Sequence, residues 1–408
     1  MNKEEENFEI ACRFVIRLGT LAHRYGTQAR RLESYLLRVI RTLGYNGIFR
    51  STPTEILFTF IKKDELWHKT HIVYMPGTGI DLAKLAKIGE LVTDLESGQL
   101  TLLEANESLD RIEKLPAPFG KVIVALGYAL SGAGFAGFLL CGVKDIILSA
   151  VLSIIVYIIV LWTEKLPERF EHWAPFLCTF TSGILAALIS ISFPELQVYL
   201  ITLSSVIYLV PGFTISNGVM ELTYKYVLSG VINIVNGVVY LALLFAGAWI
   251  GITMVRYFFP VLFIPPDSIN PDLKWLSAMI MSAGLCLVFQ TPKRDFLWAV
   301  AGCAIACGGI ILGIAISSVN LGNFLGTVFA VVFANIWSAK TNRSASLVLL
   351  PAVVFLVSGS IGFRGFVDLS IGNTVLGQQE LIHMFVVALS IAAGLIVGNS
   401  IYKSKITL

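Results

Sequence analysis

A chain of 408 residues with 56% hydrophobic residues, 14% charged residues and a mean hydropathy of +0.77 lies outside the range of soluble globular proteins. Its net charge of +3 is too small to indicate a nucleic-acid partner. Five of its six cysteines (Cys141, Cys178, Cys286, Cys303, Cys307) sit in or at the ends of apolar runs, so no disulfide framework is implied.

Residues 1–118 carry charge at ordinary soluble density and are expected to form a cytoplasmic α+β domain. The acidic start, Met-Asn-Lys-Glu-Glu-Glu, has no apolar core of a signal or transit peptide, so this end is expected to stay in the cytoplasm. Residues 6–43 show helical apolar spacing broken near Tyr25-Gly-Thr27, where a second helix can start on Thr27. Residues 47–51, 54–62 and 68–75 cluster β-formers and predict short strands. Helices over 81–97 and 102–114 then lead through Pro116-Ala-Pro118 to the first apolar run. His68 and His71, near Asp64 and Glu65, raise a metal or hydrolytic site, but residues three apart on a strand face opposite sides and chelate poorly. The chain has no G-x-S-x-G, H-E-x-x-H or G-x-x-x-x-G-K-S/T motif, which argues against an ATP-driven pump. A folded module that gates or assembles the membrane part is the plainer reading.

From Phe119 onward, repeated apolar runs are long enough to cross about 30 Å of hydrocarbon. Ten spans are predicted: 119–141, 146–163, 173–193, 196–215 and 227–254 in a first half (119–254), then 275–291, 296–317, 321–339, 346–363 and 380–402 in a second (275–402). The runs lack the period-2 alternation of a lipid-facing barrel. With the N-terminus inside, the inner loops hold Lys165, Arg169, Lys225, Lys293, Arg294, Lys340, Arg343, Lys403 and Lys405, and the outer ones only Lys144, Arg256, Lys274 and Arg364. This bias places both termini in the cytoplasm of a multi-pass cell-membrane protein. The Cys303/Cys307 pair has helical i,i+4 spacing that suits a soft metal, but no His or carboxylate lies nearby, so packing is the expected role. No metal and no cofactor are expected.

The sequence repeats itself at a gapless shift of 147 residues. Leu209-Val-Pro-Gly-Phe-Thr-Ile-Ser-Asn-Gly-Val-Met-Glu-Leu222 matches Leu356-Val-Ser-Gly-Ser-Ile-Gly-Phe-Arg-Gly-Phe-Val-Asp-Leu369, and Gly230/Gly377, Gly247/Gly394 and Gly251/Gly398 stay in register. Two halves of five spans each must enter the membrane in opposite senses, a 5+5 inverted repeat, and many secondary transporters place their site at such a repeat interface. Pro211 and Gly212 interrupt an apolar helix, with Ser216, Asn217 and Gly218 following. A broken helix here exposes backbone groups to a zwitterion; a plain loop leaving Glu221 in water is the alternative. Gly359 and Ser360 are the second copy's candidates, with Ser358 standing where the first copy has Pro211. Asn233 and Asn236, three apart on one span, either read a substrate hydroxyl or bond between helices. Glu221 and Asp368 are the symmetry-related candidates for proton coupling.

These residues resemble the threonine/serine exporters in their fused form. The likeness rests on Arg24-x-Gly26-x4-Arg31-x-Glu33, Thr52-Pro-Thr54, the Asp81-Leu82 helix start and Leu209-Val-Pro-Gly212-x5-Gly218-x2-Glu221. The resemblance implies export of threonine and serine driven by the proton motive force, not an enzyme activity. Two-chain relatives resemble succinate exporters, so a dicarboxylate exporter is the first alternative, and a membrane-anchored hydrolase acting through residues 1–118 the second. A homo-oligomer is left open.

Overall fold

The computed structural model describes residues 3–62, 68–75, 79–167, 173–260, 264–356 and 359–402. At the N-terminus, α1 (Lys3–Arg24) and α2 (Ala29–Thr42) precede an antiparallel sheet of β1 (Asn46–Ser51), β2 (Glu55–Ile61) and β3 (His68–Tyr74), in that order. Helices α3 (Leu82–Glu96) and α4 (Leu102–Lys114) follow. Alternation in β2 puts Ile56, Phe58 and Phe60 on one face, where they join Phe14, Leu18 and Leu36 in the core. Gly19 lets α1 close onto that sheet, since a methyl there would sit 2.9 Å from the Phe58 ring.

Local signals account for most boundaries. Gly26, at φ +100°, ends α1, and Gln28 rather than Thr27 is the N-cap residue of α2, without a side-chain cap. Asp81 caps α3 by accepting from the Lys84 amide at 3.0 Å, and Thr101 with Glu104 forms a capping box on α4. Strand β3 is exposed along nearly all its length, with His71 opposite Phe58 across the ladder. Asp64 and Glu65 lie outside the described residues. No group of three metal-ligating side chains occurs among the described residues.

The rest of the chain is helical: α5 (Lys121–Phe138), α6 (Val143–Thr163), α7 (Ala174–Ser190), α8 (Val198–Ser205), α9 (Gly212–Thr223), α10 (Val227–Phe258), α11 (Lys274–Val288), α12 (Phe296–Ile316), α13 (Val319–Thr341), α14 (Ser346–Phe355), α15 (Gly359–Ser370) and α16 (Thr374–Ile401). Among the described residues, eight helical stretches are long and apolar enough to cross a membrane, or nine if α8 and α9, bent by 63°, form one span. The ten spans expected from hydropathy therefore exceed what length and composition alone support. The element left over is α7, whose 17 residues reach about 26 Å. On α6, Val151, Ile154 and Ile158 point outward while Ser149, Ser153 and Val156 are buried, as lipid outside and packed helices inside require.

Contacts sort the loops to two ends. At one, Asp145 accepts from the amides of Gly142 (3.0 Å) and Gln197 (3.1 Å), and Cys141 pairs with Ser268. At the other, the Leu82 amide donates to the Phe289 carbonyl at 3.0 Å, Glu90 pairs with Arg294, and Asp295 with Arg343. The N-terminal unit sits on this second end.

Residues 147 apart make matching contacts. Helix α15 begins and ends 147 residues after α9, and α16 begins 147 after α10. A methyl on Gly218 would lie 2.8 Å from the Gly230 carbonyl oxygen, and one on Gly377 would lie 2.8 Å from that of Gly365. Gly251 abuts the Phe180 carbonyl of α7 as Gly398 abuts the Val328 carbonyl of α13. At each crossing the absent side chain sets how closely the helices approach.

Candidate functional site at the helix break

Between α8 and α9 the chain turns through a short 3₁₀ segment, Ile207–Leu209, and then Val210 and Pro211 before α9 begins at Gly212. With 8 and 12 residues, the two helices are about 12 Å and 18 Å long, each a half-span. Proline cannot donate to the preceding turn, so the ladder must restart there. Gly359, the start of α15, packs on this break: a methyl on it would stand 2.6 Å from the Val210 side chain and 2.9 Å from the Gly212 nitrogen. The two copies thus touch at the points where each begins its second half-helix. Ser216 and Ser360 are buried one turn or less beyond. Ser358 lies outside the described residues.

Glu221 sits about one and a half turns beyond Ser216 on α9 and is 1% exposed, so it does not lie in a hydrated loop. Asn217, one turn earlier on the same helix, donates to it at 3.2 Å; Ser229 and Asn233 donate from α10 at 2.7 and 2.8 Å. The Gly218–Gly230 crossing makes this possible by bringing the two helix axes close. A buried carboxylate with three neutral side-chain donors, and no cation hydrogen-bonded to it among the described residues, can exchange a proton or accept an ammonium group without first breaking an ion pair. Asn236 does not join the cluster; its side chain is exposed, because three residues rotate it past the contact face with α9. Ser229 was not anticipated from sequence, although it lies four residues before Asn233 and therefore on the same helical face.

Asp368, the counterpart of Glu221, has different surroundings. It is half-buried and lines a cleft of about 320 Å³ with Tyr199, Phe363, Arg364 and Glu380. Arg364 and Glu380, which stand where the first copy has Asn217 and Asn233, approach to 3.6 Å. Of the remaining intramembrane amides, Asn335 of α13 donates to Asn399 of α16 at 3.1 Å, a plain interhelical bond.

The N-terminal unit reaches the Glu221 cluster. The Ala29 amide, first in α2, faces the Glu221 carboxylate, and the Arg30 guanidinium lies 3.9 Å from the centre of the Tyr224 ring. Arg31 donates to the Ser346 hydroxyl at the start of α14. Burial, reinforced by the neighbouring Arg30 charge, pushes the Arg31 guanidinium down to about 10, so it stays charged at neutral pH. Glu33 accepts from the Ser51 amide at 2.8 Å and faces Tyr226, and burial raises its carboxyl above the usual carboxylate range. Arg31, Phe213, Met220 and Ser346 line a cleft whose cavity volume is about 30 Å³, room for one or two waters.

The family described as "Putative threonine/serine exporter" matches residues 13–255, and the related family "Threonine/Serine exporter, ThrE" matches residues 274–401. The chain belongs to the threonine/serine exporter (ThrE) family. The first match takes in the N-terminal unit together with α5–α10. An uncharacterized protein of Schizosaccharomyces pombe is 21% identical over 365 residues, 86% of this chain and 48% of that protein. Pheromone-regulated membrane protein 10 of Candida albicans is 23% identical over 373 residues, 86% of this chain and 33% of its own length. The protein of that name from Yarrowia lipolytica is 25% identical over 59% of this chain and 20% of its own. This chain thus spans about half or less of the curated relatives it matches. No solved structure matches it. As a ThrE-family chain with several apolar membrane-length helices, it is a polytopic helical membrane protein.

Proposed function

We propose that this protein is a secondary exporter of small hydroxy amino acids, threonine and serine, driven by the proton motive force across the cell membrane. The observation that carries the reading is Glu221: a buried carboxylate beside a helix break, held by neutral donors, at the contact between α9 and α10 and below the point where the two repeat copies meet. In this reading α8 with α9 and α14 with α15 are broken spans, ten spans form two five-helix halves of opposite sense, and both termini face the cytoplasm. Two near-equivalent halves can exchange inward- and outward-facing arrangements at small energetic cost. Solute enters from the N-terminal unit's side, where its ammonium group meets Glu221. The Glu221 site and the Asp368 cleft, at opposite ends of the repeat, are the two proton-handling positions.

A dicarboxylate exporter of the same architecture is the second reading, favoured by the adjacent Arg30 and Arg31 in the first turn of α2. Counterflow of labelled serine and threonine in proteoliposomes, with succinate as competitor and an imposed proton gradient, separates the two. Serine uptake that resists succinate and responds to the gradient supports the amino-acid exporter. Movement of succinate without serine overturns it.

A further inference from the structure

Arg31 has no acidic partner among the described residues, although it lines a narrow cleft between two parts of the protein. A guanidinium offers five N–H donors, and among the described residues the one hydrogen bond of Arg31 goes to the Ser346 hydroxyl. Two other arginines at this end are neutralised, Arg343 by Asp295 and Arg294 by Glu90. The position compounds the excess of charge. Arg30 and Arg31 both fall in the first turn of α2, where unpaired backbone amides already make the helix end positive and where no acidic side chain is present. Arg30 and Arg31 both line the cleft; Arg30 is turned onto the Tyr224 ring, whereas Arg31 reaches across to Ser346.

The same helix end reaches Glu221. The Ala29 amide faces that carboxylate, and Met220, next to it in α9, lines the cleft with Arg31. Among the described residues, Arg31 has no acidic partner and Glu221 no hydrogen-bonded cation, and both stand where the first turn of α2 meets α9, 190 residues apart in sequence. An α-amino acid carries the complementary pair of charged groups on a single carbon.

We propose that Arg31 reads the carboxylate of the transported solute at the inner mouth, while Glu221 receives its ammonium group. The inference rests on the exporter reading and deepens it by making the N-terminal unit part of the substrate site. Planar guanidinium geometry suits a carboxylate through two parallel hydrogen bonds. The cleft, at about 30 Å³, must widen to admit the solute, and the Arg31–Ser346 contact between the N-terminal unit and α14 is exchanged when it does.

The test is inhibition of labelled-serine counterflow by unlabelled serine and by ethanolamine, which is serine without its carboxylate, using the full chain in proteoliposomes. In the wild type, serine is expected to compete roughly 10- to 100-fold better than ethanolamine, the range set by one charge-assisted hydrogen-bonded group. Arg31→Gln is expected to weaken serine by about that factor while leaving ethanolamine unchanged, so the ratio collapses. Ser346→Ala removes the contact to α14 but keeps the guanidinium, and is expected to keep the ratio. Equal competition by the two compounds in the wild type overturns the proposal. So does equal weakening of both in Arg31→Gln, which is what a merely structural arginine produces. If that variant cannot be recovered folded, Arg31→Lys decides: a reduced ratio supports the role and an unchanged one overturns it. If the wild type moves succinate and not serine, the amino-acid reading falls separately. Weakened succinate transport in Arg31→Gln then still upholds a carboxylate-reading arginine, and unaltered transport overturns it.

Discussion

Replacing Glu221 by glutamine and by alanine separates the role of its charge from the role of its bulk. The carboxylate accepts from Asn217, Ser229 and Asn233 at 3.2, 2.7 and 2.8 Å. Turning charge-assisted bonds into neutral ones costs about 1 kcal/mol each, on the order of 3 kcal/mol for the set. Against that, glutamine removes a buried charge whose desolvation costs several kcal/mol. Ser229 can rotate its hydroxyl to accept, and Asn233 can turn its amide to meet the new donor. Glu221→Gln is therefore expected to fold with stability within about 1–2 kcal/mol of the wild type. Glu221→Ala leaves three buried donors without an acceptor, at about 1–3 kcal/mol each, and is expected to be less stable than glutamine by at least about 3 kcal/mol. Denaturant unfolding in one detergent measures the difference. Counterflow at two pH values then asks whether glutamine abolishes the response to a proton gradient. An alanine variant as stable as glutamine refutes the buried network, and a glutamine variant with wild-type transport and pH dependence refutes the coupling role.

Gly218→Val is expected to cost about 1–3 kcal/mol and to pull Glu221 away from Asn233, because its Cβ must pass 2.8 Å from a backbone oxygen on α10; a thermal melt and the counterflow assay read the two effects. Asp145→Ala, which strips the acceptor from the Gly142 and Gln197 amides, is expected to lose about 2–4 kcal/mol with little change in substrate preference, by denaturant unfolding and competition counterflow. His23 donates a ring N–H to the Thr52 carbonyl at 2.8 Å, and burial lowers it below its ordinary value, so it is neutral in the folded N-terminal unit. The unfolded chain takes up the proton first as pH drops, so this contribution is complete above about pH 6.5 and is lost as pH falls from there through the folded value. The melting midpoint between pH 7.5 and 5.5 should fall more in the wild type than in His23→Gln.

Much of this protein is written locally. Apolar runs longer than the bilayer's thickness force membrane-length helices, alternation in Ile56-Leu-Phe-Thr-Phe-Ile61 forces a strand with one buried face, and Asp81 and Thr101 cap the helices they precede. The 147-residue shift is legible in the sequence itself, and glycines in both copies lie where an added methyl would meet a neighbouring helix. Other features depend on how the helices rotate and meet. That Asn233 turns to Glu221 while Asn236 faces outward is fixed by the α9–α10 crossing, not by either residue's type. Hydropathy placed Glu221 at a span's end and left water or burial open; the neighbouring α10 and the N-terminal unit over it decided for burial. The contact of Arg31 with Ser346 joins residues 315 positions apart. Local sequence determines which segments are helical and apolar because those properties arise within a few residues. Which groups end up near one another is decided by packing between segments distant in the chain, and only the tertiary structure brings the first turn of α2, which carries Arg31, against α9, which carries Glu221.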